Sequence, residues 1–362
     1  MQPGADTTTV GRQTYLKILP AVVDTVNNSN IIAMRVLNAP KRWVGKYIES
    51  QIQTANSTSG GSFSGMDTFD TSDSEAEVNL RWYVKGYYQS VVVPGFDFAI
   101  NETPAQAISY LGQKMDKAKN SMVDGLGTKF YGLGLGKDVD GLEHIIDDST
   151  NTSTYGELSR TTYGTNINSH VTAVSGGTLT LDLMRAEDDA AKAAGSKTES
   201  PTNIITDKTG FSAYEELLQP TLQANYNTTQ VTYGSITAKT PIGGVERGQG
   251  NAGTAGFNTL DFRGLTVVAD DKCTAGAMYF INEHYLEFYV LRHPKLKTIT
   301  MANEVTEGAG NAETPVTNTA FQYKELQMPD NQLAEVGQII LMGNLVQRNP
   351  RRNGKLTGIT NA

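Results

Sequence analysis

Residues 78–85 read VNLRWYVK, and this stretch decides the first part of the fold. Its apolar and polar residues alternate, which is typical of a half-buried strand because successive side chains point to opposite faces of a sheet. A second segment, 41–53, has a looser apolar pattern, and the segment 54–76 between them is rich in Ser, Thr and Gly. The sequence therefore predicts a long β-hairpin over 41–93.

The predicted hairpin is too long to be stable by itself. Strands of about 13 residues at roughly 3.3 Å per residue would carry its tip about 40 Å from its base. An isolated two-stranded ribbon is only marginally stable in water, so we expect it to lie on its own domain and, beyond that reach, on a neighbouring subunit. The tip has no Lys or Arg, and its acidic residues are Asp67, Asp70, Asp73 and Glu75.

A long helix is predicted after the hairpin, over 103–131. Thr103 is a suitable N-cap, Pro104 suits the first helical position, and Gln106 completes a capping box. Apolar residues then recur at steps of three and four from Ile108 to Phe130, which gives the helix one apolar stripe. At about 1.5 Å per residue this helix would be about 40 Å long.

The composition predicts a folded, loop-rich α+β protein. The chain has 362 residues, of which 38% are hydrophobic, 19% are charged and 36 are glycines. Its formal net charge of −8 argues against tight, sequence-independent binding of nucleic acid over the whole surface. The single cysteine, Cys273, excludes an internal disulfide. Neither a membrane-spanning apolar run nor a secretory signal is recognisable, which predicts a soluble intracellular protein with no membrane partner.

The rest of the chain is divided by its apolar patterns. Residues 1–39 are predicted to form an extended arm that ends in a strand over Ile31–Leu37, and 132–138 (GLGLGKD) a flexible connection. A compact α/β unit is expected over 141–285, with helices at 178–194 and 208–218, strands at 203–206, 262–268 and 278–281, and a Gly-rich loop over 236–257. The first helix is predicted to be amphipathic, with Leu179, Leu183, Ala186 and Ala190 on its apolar side, and the second is closed by Pro220. Strands are expected from 286 onwards, including 337–346 with an interruption at Gly343.

Motifs of catalysis and of cofactor binding are missing. YGLGLGKD (131–138) lacks the first glycine and the final Ser or Thr of a phosphate-binding loop, and DVDG (138–141) lacks the further ligands of a calcium loop. The four histidines show no metal-ligand spacing, and no Gly-x-Ser-x-Gly nucleophile motif occurs. We therefore predict no catalytic residue, no cofactor and no metal, and a protein that is not an enzyme.

A basic cluster near the end of the chain has two interpretations. Arg348, Arg351, Arg352 and Lys355 follow one another without an intervening acid. They are either solvated or paired with acidic groups of another subunit, or they contact nucleic acid phosphate. The candidate intersubunit contacts are the four acidic residues of the tip together with Arg42, Lys46, Arg81, Lys85, Arg348, Arg351 and Arg352.

The order of several sequence segments resembles that of the major capsid proteins of tailed bacteriophages, whose fold is shared with encapsulin shells and the herpesvirus capsid floor. The segments that carry the resemblance are GLEHIIDD (141–148), SRTTY (159–163), TLTLDLMRAEDDAAKAAG (178–195), NIITD (203–207), FSAYEELLQP (211–220) and FRGLTVVADDKCTAGAMYFINEHYL (262–286).

This resemblance implies a fold and a function. The α+β capsid fold would comprise an N-terminal arm (1–39), an extended loop hairpin with the start of a peripheral domain (40–102), a spine helix (103–135), an axial domain (136–285) and a return to the peripheral sheet (286–362). The implied protein self-assembles as pentamers and hexamers into an icosahedral shell around double-stranded DNA. It would be assembled in the bacterial host cytoplasm and would belong to the virion capsid.

The resemblance also implies partners and has limits. The implied partners are further copies of the chain, a scaffolding protein, a portal, packaged double-stranded DNA held by weak non-specific contact, and decoration proteins. Some members of the family cross-link subunits through a lysine of the extended loop, but the tip here contains none. Residues 1–39 do not resemble a helical, charged scaffolding segment, so scaffolding is expected to be a separate protein or to be cleaved upstream.

Two other functions stay open on the sequence. The first is the shell of an encapsulin-like compartment, which would enclose a protein cargo in place of DNA. The second, from another class, is a soluble enzyme, whose motifs are missing.

Overall fold

The structure is a computed structural model that describes most of the chain. The described residues are 30–37, 40–72, 76–100, 114, 117–118, 121–122, 124–193, 196, 198–226, 259–294, 296–299, 305–306, 321–330 and 332–360. The predicted arm over 1–29, the start of the predicted long helix and the predicted loop over 236–257 therefore lie outside the described residues.

The described elements alternate between strands and helices. The strands are β1 Lys41–Trp43, β2 Tyr47–Gln53, β3 Glu77–Tyr83, β4 Lys85–Pro94, β5 Thr154–Tyr155, β6 Leu158–Ser159, β7 His170–Ala173, β8 Asn203–Thr206, β9 Thr259–Phe262, β10 Leu265–Ala269, β11 Met278–Ile281, β12 Leu286–Leu291, β13 Lys297–Ile299, β14 Val305–Thr306, β15 Phe321–Gln327, β16 Ala334–Gln347 and β17 Gly354–Thr357. The helices are α1 Ile31–Leu37, α2 Gly95–Ile100, α3 at 114, 117–118, 121–122 and 124–131, α4 Leu142–Ile145, α5 Gly164–Ile167, α6 Leu181–Ala191 and α7 Lys208–Tyr226, with 3₁₀ turns at Ser175–Gly177 and Pro350–Arg352.

The first sheet is built around β16. This strand pairs antiparallel with β4, β12 and β15, and β1 joins parallel to β12. Strand β13 pairs antiparallel with β15 and with β14, which completes a seven-stranded sheet. Helix α3 packs on it, with Phe130 edge-on to Phe288 at a centroid distance of 5.8 Å. Met122, Leu126 and Phe130 are fully buried. The described part of the long helix therefore buries the predicted apolar stripe.

The second sheet is six-stranded, in the order β7-β17-β11-β8-β10-β9. Its central strands β8 and β11 are buried along their whole length, as expected of strands covered on both faces. Met184 of α6 and Tyr214 of α7 pack in the core that covers this sheet. The predicted strands 203–206 and 278–281 are thus confirmed.

The segment 31–37 is a helix, not the predicted strand. Its β-branched residues favour a strand locally, but a local cap by Asn30 and a tertiary contact with Asp270 stabilise a helix here. Asn30 accepts a hydrogen bond from the backbone of Ala33 at 3.4 Å, and Asp270 accepts one from the backbone of Ile31 at 3.0 Å. Two of the otherwise unpaired first N–H groups are satisfied in this way, so the helix is stabilised at its N-terminus.

Helix α6 buries a different face from the predicted one. The predicted face consists of Leu179, Leu183, Ala186 and Ala190, whereas the buried helical residues are Met184, Glu187, Asp188 and Ala191. Two carboxylates can be buried because their partners reach them. Glu187 accepts a hydrogen bond from the backbone of Lys355 at 2.9 Å and pairs with His170 at 2.7 Å.

Two further predictions are corrected by the structure. Helix α7 continues through Pro220, which removes only one hydrogen bond from a helix of 19 residues. The predicted strand 262–268 is interrupted by a turn, because Arg263 and Gly264, with φ of 53° and 84°, connect the end of β9 at Phe262 to the start of β10 at Leu265. Strand β17 belongs to the second sheet and not to the first.

Strand β16 is continuous across Gly343, where an interruption was predicted. A Cβ atom at this position would lie 2.4 Å from the carbonyl oxygen of Tyr289 and 2.8 Å from the ring of Phe288. The glycine therefore allows two strands and a ring to approach closely, and it does not break the strand.

The hairpin itself is shorter than predicted. Strand β2 pairs with β3 from Tyr47↔Tyr83 to Gln53↔Glu77, but β1 pairs with β12 and β4 pairs with β16. Seven residues at roughly 3.3 Å give strands of about 23 Å, not about 40 Å. The flanking segments leave the ribbon because the first sheet offers their backbones partners.

Candidate functional site

The base of the hairpin packs on its own chain. Ile48, Leu80 and Trp82 are buried, and the Trp82 ring lies edge-on to Tyr155 with 5.7 Å between centroids. The backbone N–H of Arg81 donates to the carbonyl of Gly156 at 3.0 Å. The apolar face of the returning strand is thus covered by residues near β5 and β6, as the alternation of VNLRWYVK predicts for one buried face.

The far end of the hairpin is also fixed to its own chain. The Thr54 backbone N–H donates to the carbonyl of Ala76 at 2.6 Å and closes the ribbon. The side-chain amide of Asn166, on α5, donates to the carbonyl oxygens of Thr54 and Gln53 at 2.8 and 3.3 Å. The ribbon is therefore held at both ends, whereas the described tip residues 56–72 make no hydrogen bond to other described parts of the chain.

The described part of the tip, 55–72, has no helix or strand and is exposed apart from Ser59. It nevertheless contains an apolar cluster. Phe63 and Phe69 lie edge-to-face with 5.2 Å between ring centroids and are each about two-thirds exposed, and Met66 is 97% exposed. An exposed apolar cluster on a projecting loop is typical of a protein contact.

Two of the predicted acidic contacts also lie on the tip. Asp67 accepts a hydrogen bond from the backbone of Ser64 at 2.7 Å, and Asp70 accepts one from the backbone of Ser72 at 2.9 Å. The backbone and side-chain hydrogen bonds of Ser72 lower the pKa of Asp70. Among the described residues neither carboxylate pairs with a cation. Asp73 and Glu75 lie outside the described residues.

Two of the basic candidates on the strands are partnered within the chain. Arg81 pairs with Glu49 at 2.7 Å and with Glu157 at 3.7 Å, and its pKa is raised, chiefly by the hydrogen bond to Glu49. Lys85 is largely buried, pairs with Asp140 at 2.8 Å and donates to the Gly134 carbonyl at 2.6 Å. These contacts attach the start of β4 to the loop after α3.

The other two basic candidates near the hairpin are exposed. Arg42 has no acidic partner among the described residues. The Lys46 ammonium lies 4.9 Å from the centroid of the Tyr47 ring, a cation–π contact at the base of the ribbon.

Two arginines of the basic cluster after β16 form ion pairs with glutamates, and the third does not among the described residues. Arg348 pairs with Glu287 at 2.5 Å, and Arg352 pairs with Glu199 at 2.9 Å. The hydrogen bond from Tyr285 and the charge of Arg352 lower the pKa of Glu199 against the effect of burial. Arg351 is exposed and has no acidic partner in the part of the chain that the structure describes.

Lys355 does not belong to this basic surface. It is only 1% exposed, and burial lowers its pKa despite the nearby charge of Asp147. The sequence run of basic residues therefore overstates the exposed positive charge.

The three arginines lie along a groove of about 380 Å³ beside the hairpin. One wall is strand β2 from Ser50 to Gln53, and the other is formed by Arg348 to Arg352, with Asn166 also lining the groove. Arginine, asparagine and glutamine side chains are hydrogen-bond donors, so the groove is suited to an anionic group. We call it the arginine groove.

Among the described residues, no group of three or more His, Cys, Asp or Glu side chains is arranged to hold a metal. Burial raises the pKa of the Cys273 thiol well above its usual range, which favours its protonated form. No described helix is long and apolar enough to cross a membrane.

Sequence reasoning missed two sets of residues at this site. Phe63, Met66 and Phe69 recur every third residue in an otherwise polar loop, a signal that could have found the apolar cluster. Asn166 carries no such signal, because its partners lie 112 and 113 residues away in sequence.

Comparison with known proteins identifies the fold. No protein-family model and no curated protein sequence matches the chain. Among solved structures, the capsid of cyanophage A-1(L) superposes with a TM-score of 0.64 at 14% identity, covering 92% of this chain and 93% of that chain. The capsid of Myoviridae phage XM1 gives a TM-score of 0.50 at 10% identity, with coverage of 91% and 92%.

The SrpI encapsulin of Synechococcus elongatus PCC 7942 is also similar, with a TM-score of 0.46 at 8% identity, covering 90% of this chain and 86% of that chain. The matches to the two phage capsids span nearly the whole chain, and the chain has the mixed α and β fold of tailed-phage capsid proteins. The predicted fold class is confirmed.

Proposed function

We propose that this protein is a major capsid protein that self-assembles as pentamers and hexamers into an icosahedral shell enclosing double-stranded DNA. One observation carries the proposal: over 92% of its length the chain has the fold of a cyanophage capsid subunit. The exposed tip and the missing catalytic motifs agree with it. The virion capsid is then the location of the mature protein, and the bacterial host cytoplasm is the place of assembly.

The hairpin tip is the part of the subunit that we assign to contact between copies. The base of the hairpin is anchored by Trp82 and Tyr155, and its far end is held by Asn166, whereas the apolar cluster of the tip is exposed. A single contact made by one tip is weak, because the tip offers few apolar side chains. Closed assemblies multiply such contacts, since many must break together before a subunit leaves.

The remaining partners follow from the same proposal. Packaged DNA would be held by weak, non-specific contact, because the chain carries a net charge of −8. A scaffolding protein and a portal would direct assembly, and decoration proteins would bind the finished shell. The candidate contacts Arg42, Lys46, Asp67, Asp70 and Arg351 stay proposals for surfaces between subunits.

Electron microscopy of the expressed protein, alone and with candidate scaffolding proteins, tests the assembly. We expect rings of five or six subunits and closed shells. Subunits that stay monomeric under every condition would contradict the proposal. The contents of the shells decide between the two kinds of shell: nucleic acid supports the capsid, and a bound protein cargo supports the encapsulin-like compartment.

Deletion of residues 56–74, with a short Gly-Ser turn in their place, tests the tip. We expect a folded subunit that forms no closed shells, because the paired strands of the hairpin remain while the contact surface is removed. A matched control is the double change Ser57→Ala and Ser59→Ala, which removes only the two exposed hydrogen bonds between these residues and should leave shells intact. Normal shells from the deletion would contradict the role of the tip.

A further inference from the structure

The arginine groove holds one arginine that no acidic side chain of the described residues neutralises. Arg348 and Arg352 are paired with Glu287 and Glu199, whereas Arg351 is exposed without an acidic partner among the described residues. The three arginines and their two glutamates sum to a net charge of about +1, and Lys41, which shares Glu287 with Arg348 at 2.6 Å, adds a further positive charge nearby. An occupant with one or two carboxylates would balance it.

Such carboxylates are present on every copy of the chain. Asp67 and Asp70 are exposed on the tip, each accepts one backbone hydrogen bond, and neither meets a cation among the described residues. A carboxylate has about four acceptor sites, so each can also accept a bidentate guanidinium.

We propose that the hairpin tip of one copy docks in the arginine groove of a second copy, with Asp67 and Asp70 accepting hydrogen bonds from Arg351. This inference rests on the proposed function, since it names the surface that receives the tip. The contact is heterologous, because the tip and the groove are different surfaces of the chain, and repetition of such a contact about an axis closes a ring.

The tip of the same chain is not the occupant in this structure. Asn166 lines the groove and holds Thr54 beside it, and beyond this point the described residues 55–72 make no hydrogen bond or ion pair with the three arginines. The groove therefore lies at the root of its own tip, and a tip from another copy can enter it.

Charge also favours the tip over nucleic acid as the occupant. Phosphate backbones are bound by several unpaired cations, but two of the three arginines already hold glutamates at 2.5 and 2.9 Å. The net charge of −8 further disfavours the approach of a polyanion at long range.

Charge reversal tests the pairing in the full chain. We expect Arg351→Glu to lower shell yield about tenfold at moderate salt, because like charges would then face each other. Asp67→Arg with Asp70→Arg should have the same effect, and the three changes together should restore at least about half of the wild-type yield. Lys137→Glu is the matched control, since this exposed lysine has no acidic partner in the described chain and lies outside the contact.

A cross-link gives a second, direct measurement. Arg351→Lys keeps the charge and supplies an amine, which a carbodiimide joins to an adjacent carboxylate. In a mixture of isotope-labelled and unlabelled protein, we expect mixed-isotope peptides that connect position 351 to residues 55–72. The same measurement can be made on concentrated soluble protein if no shells form.

The outcomes separate this inference from the proposed function. A wild-type chain that never assembles overturns the proposed function. Wild-type shells with an Arg351→Glu variant that assembles normally, or with no mixed-isotope cross-link, overturn the docking alone. Normal shells of Arg351→Glu that retain less DNA would overturn the docking in favour of a nucleic acid contact.

Discussion

Leu80→Ala should destabilise the subunit by about 3 kcal/mol, because Leu80 anchors the hairpin base and is 0% exposed. The change removes three carbon atoms from the core, roughly 2.4 kcal/mol at about 0.8 kcal/mol for each buried methylene. The cavity beside Gly156 and Trp82 adds to this loss, which brings the total into the usual range of about 3 to 5 kcal/mol.

Urea unfolding of the unassembled protein measures this loss. Trp43 and Trp82 are the two tryptophans of the chain, and Trp82 lies in the hairpin base, so tryptophan fluorescence reports on this region. With a slope of about 3 kcal/mol per molar urea, the midpoint should fall by about 1 M.

Val78→Ala is the matched control. Val78 lies two residues before Leu80 on the same face of β3 but is only half-buried, so its truncation should cost under about 1 kcal/mol. If Leu80→Ala and Val78→Ala shift the midpoint equally, the hairpin base is not packed on its own chain. The ribbon would then depend on neighbouring subunits along its whole length.

Three further changes test other contacts. Glu287→Gln should lower the free energy of unfolding by about 2 kcal/mol at pH 7. Burial raises the pKa of Glu287, but the hydrogen bonds and cations around it outweigh this effect and lower the pKa of the folded protein. The difference in stability between wild type and variant should therefore vanish as the pH falls below that pKa, and a difference that grows in acid would contradict the prediction. Gly343→Ala should destabilise by about 1 to 3 kcal/mol in thermal unfolding, because its Cβ would meet the Tyr289 carbonyl at 2.4 Å; Gly86→Ala, with its nearest neighbour at 3.8 Å, is the control and should be nearly neutral. Asn166→Ala should speed limited proteolysis within 54–76 about fivefold, because it removes about 1 kcal/mol of support from the end of the hairpin; unchanged cleavage would contradict that support.

Part of the candidate site was predictable from the sequence. The acidic tip and the basic cluster after β16 are visible as runs of like charge, and Asp67, Asp70 and Arg351 are among the residues they predicted. Which charges stay free was not predictable. Arg348 finds Glu287 across 61 residues of sequence and Arg352 finds Glu199 across 153.

Local periodicity by itself determined the paired strands β2 and β3 and the apolar stripe of α3. The side chains of one face recur every second residue in a strand and every three or four residues in a helix, so the pattern of neighbouring residues is enough to predict these elements.

Only the tertiary structure decided what each segment pairs with. The segment 31–37 has the β-branched residues of a strand, but Asp270, 239 residues from Ile31, caps it as a helix. Likewise the flanks of the hairpin leave the ribbon because β12 and β16 supply backbone partners. These outcomes depend on hydrogen bonds and ion pairs between residues far apart in the chain, which no local pattern specifies.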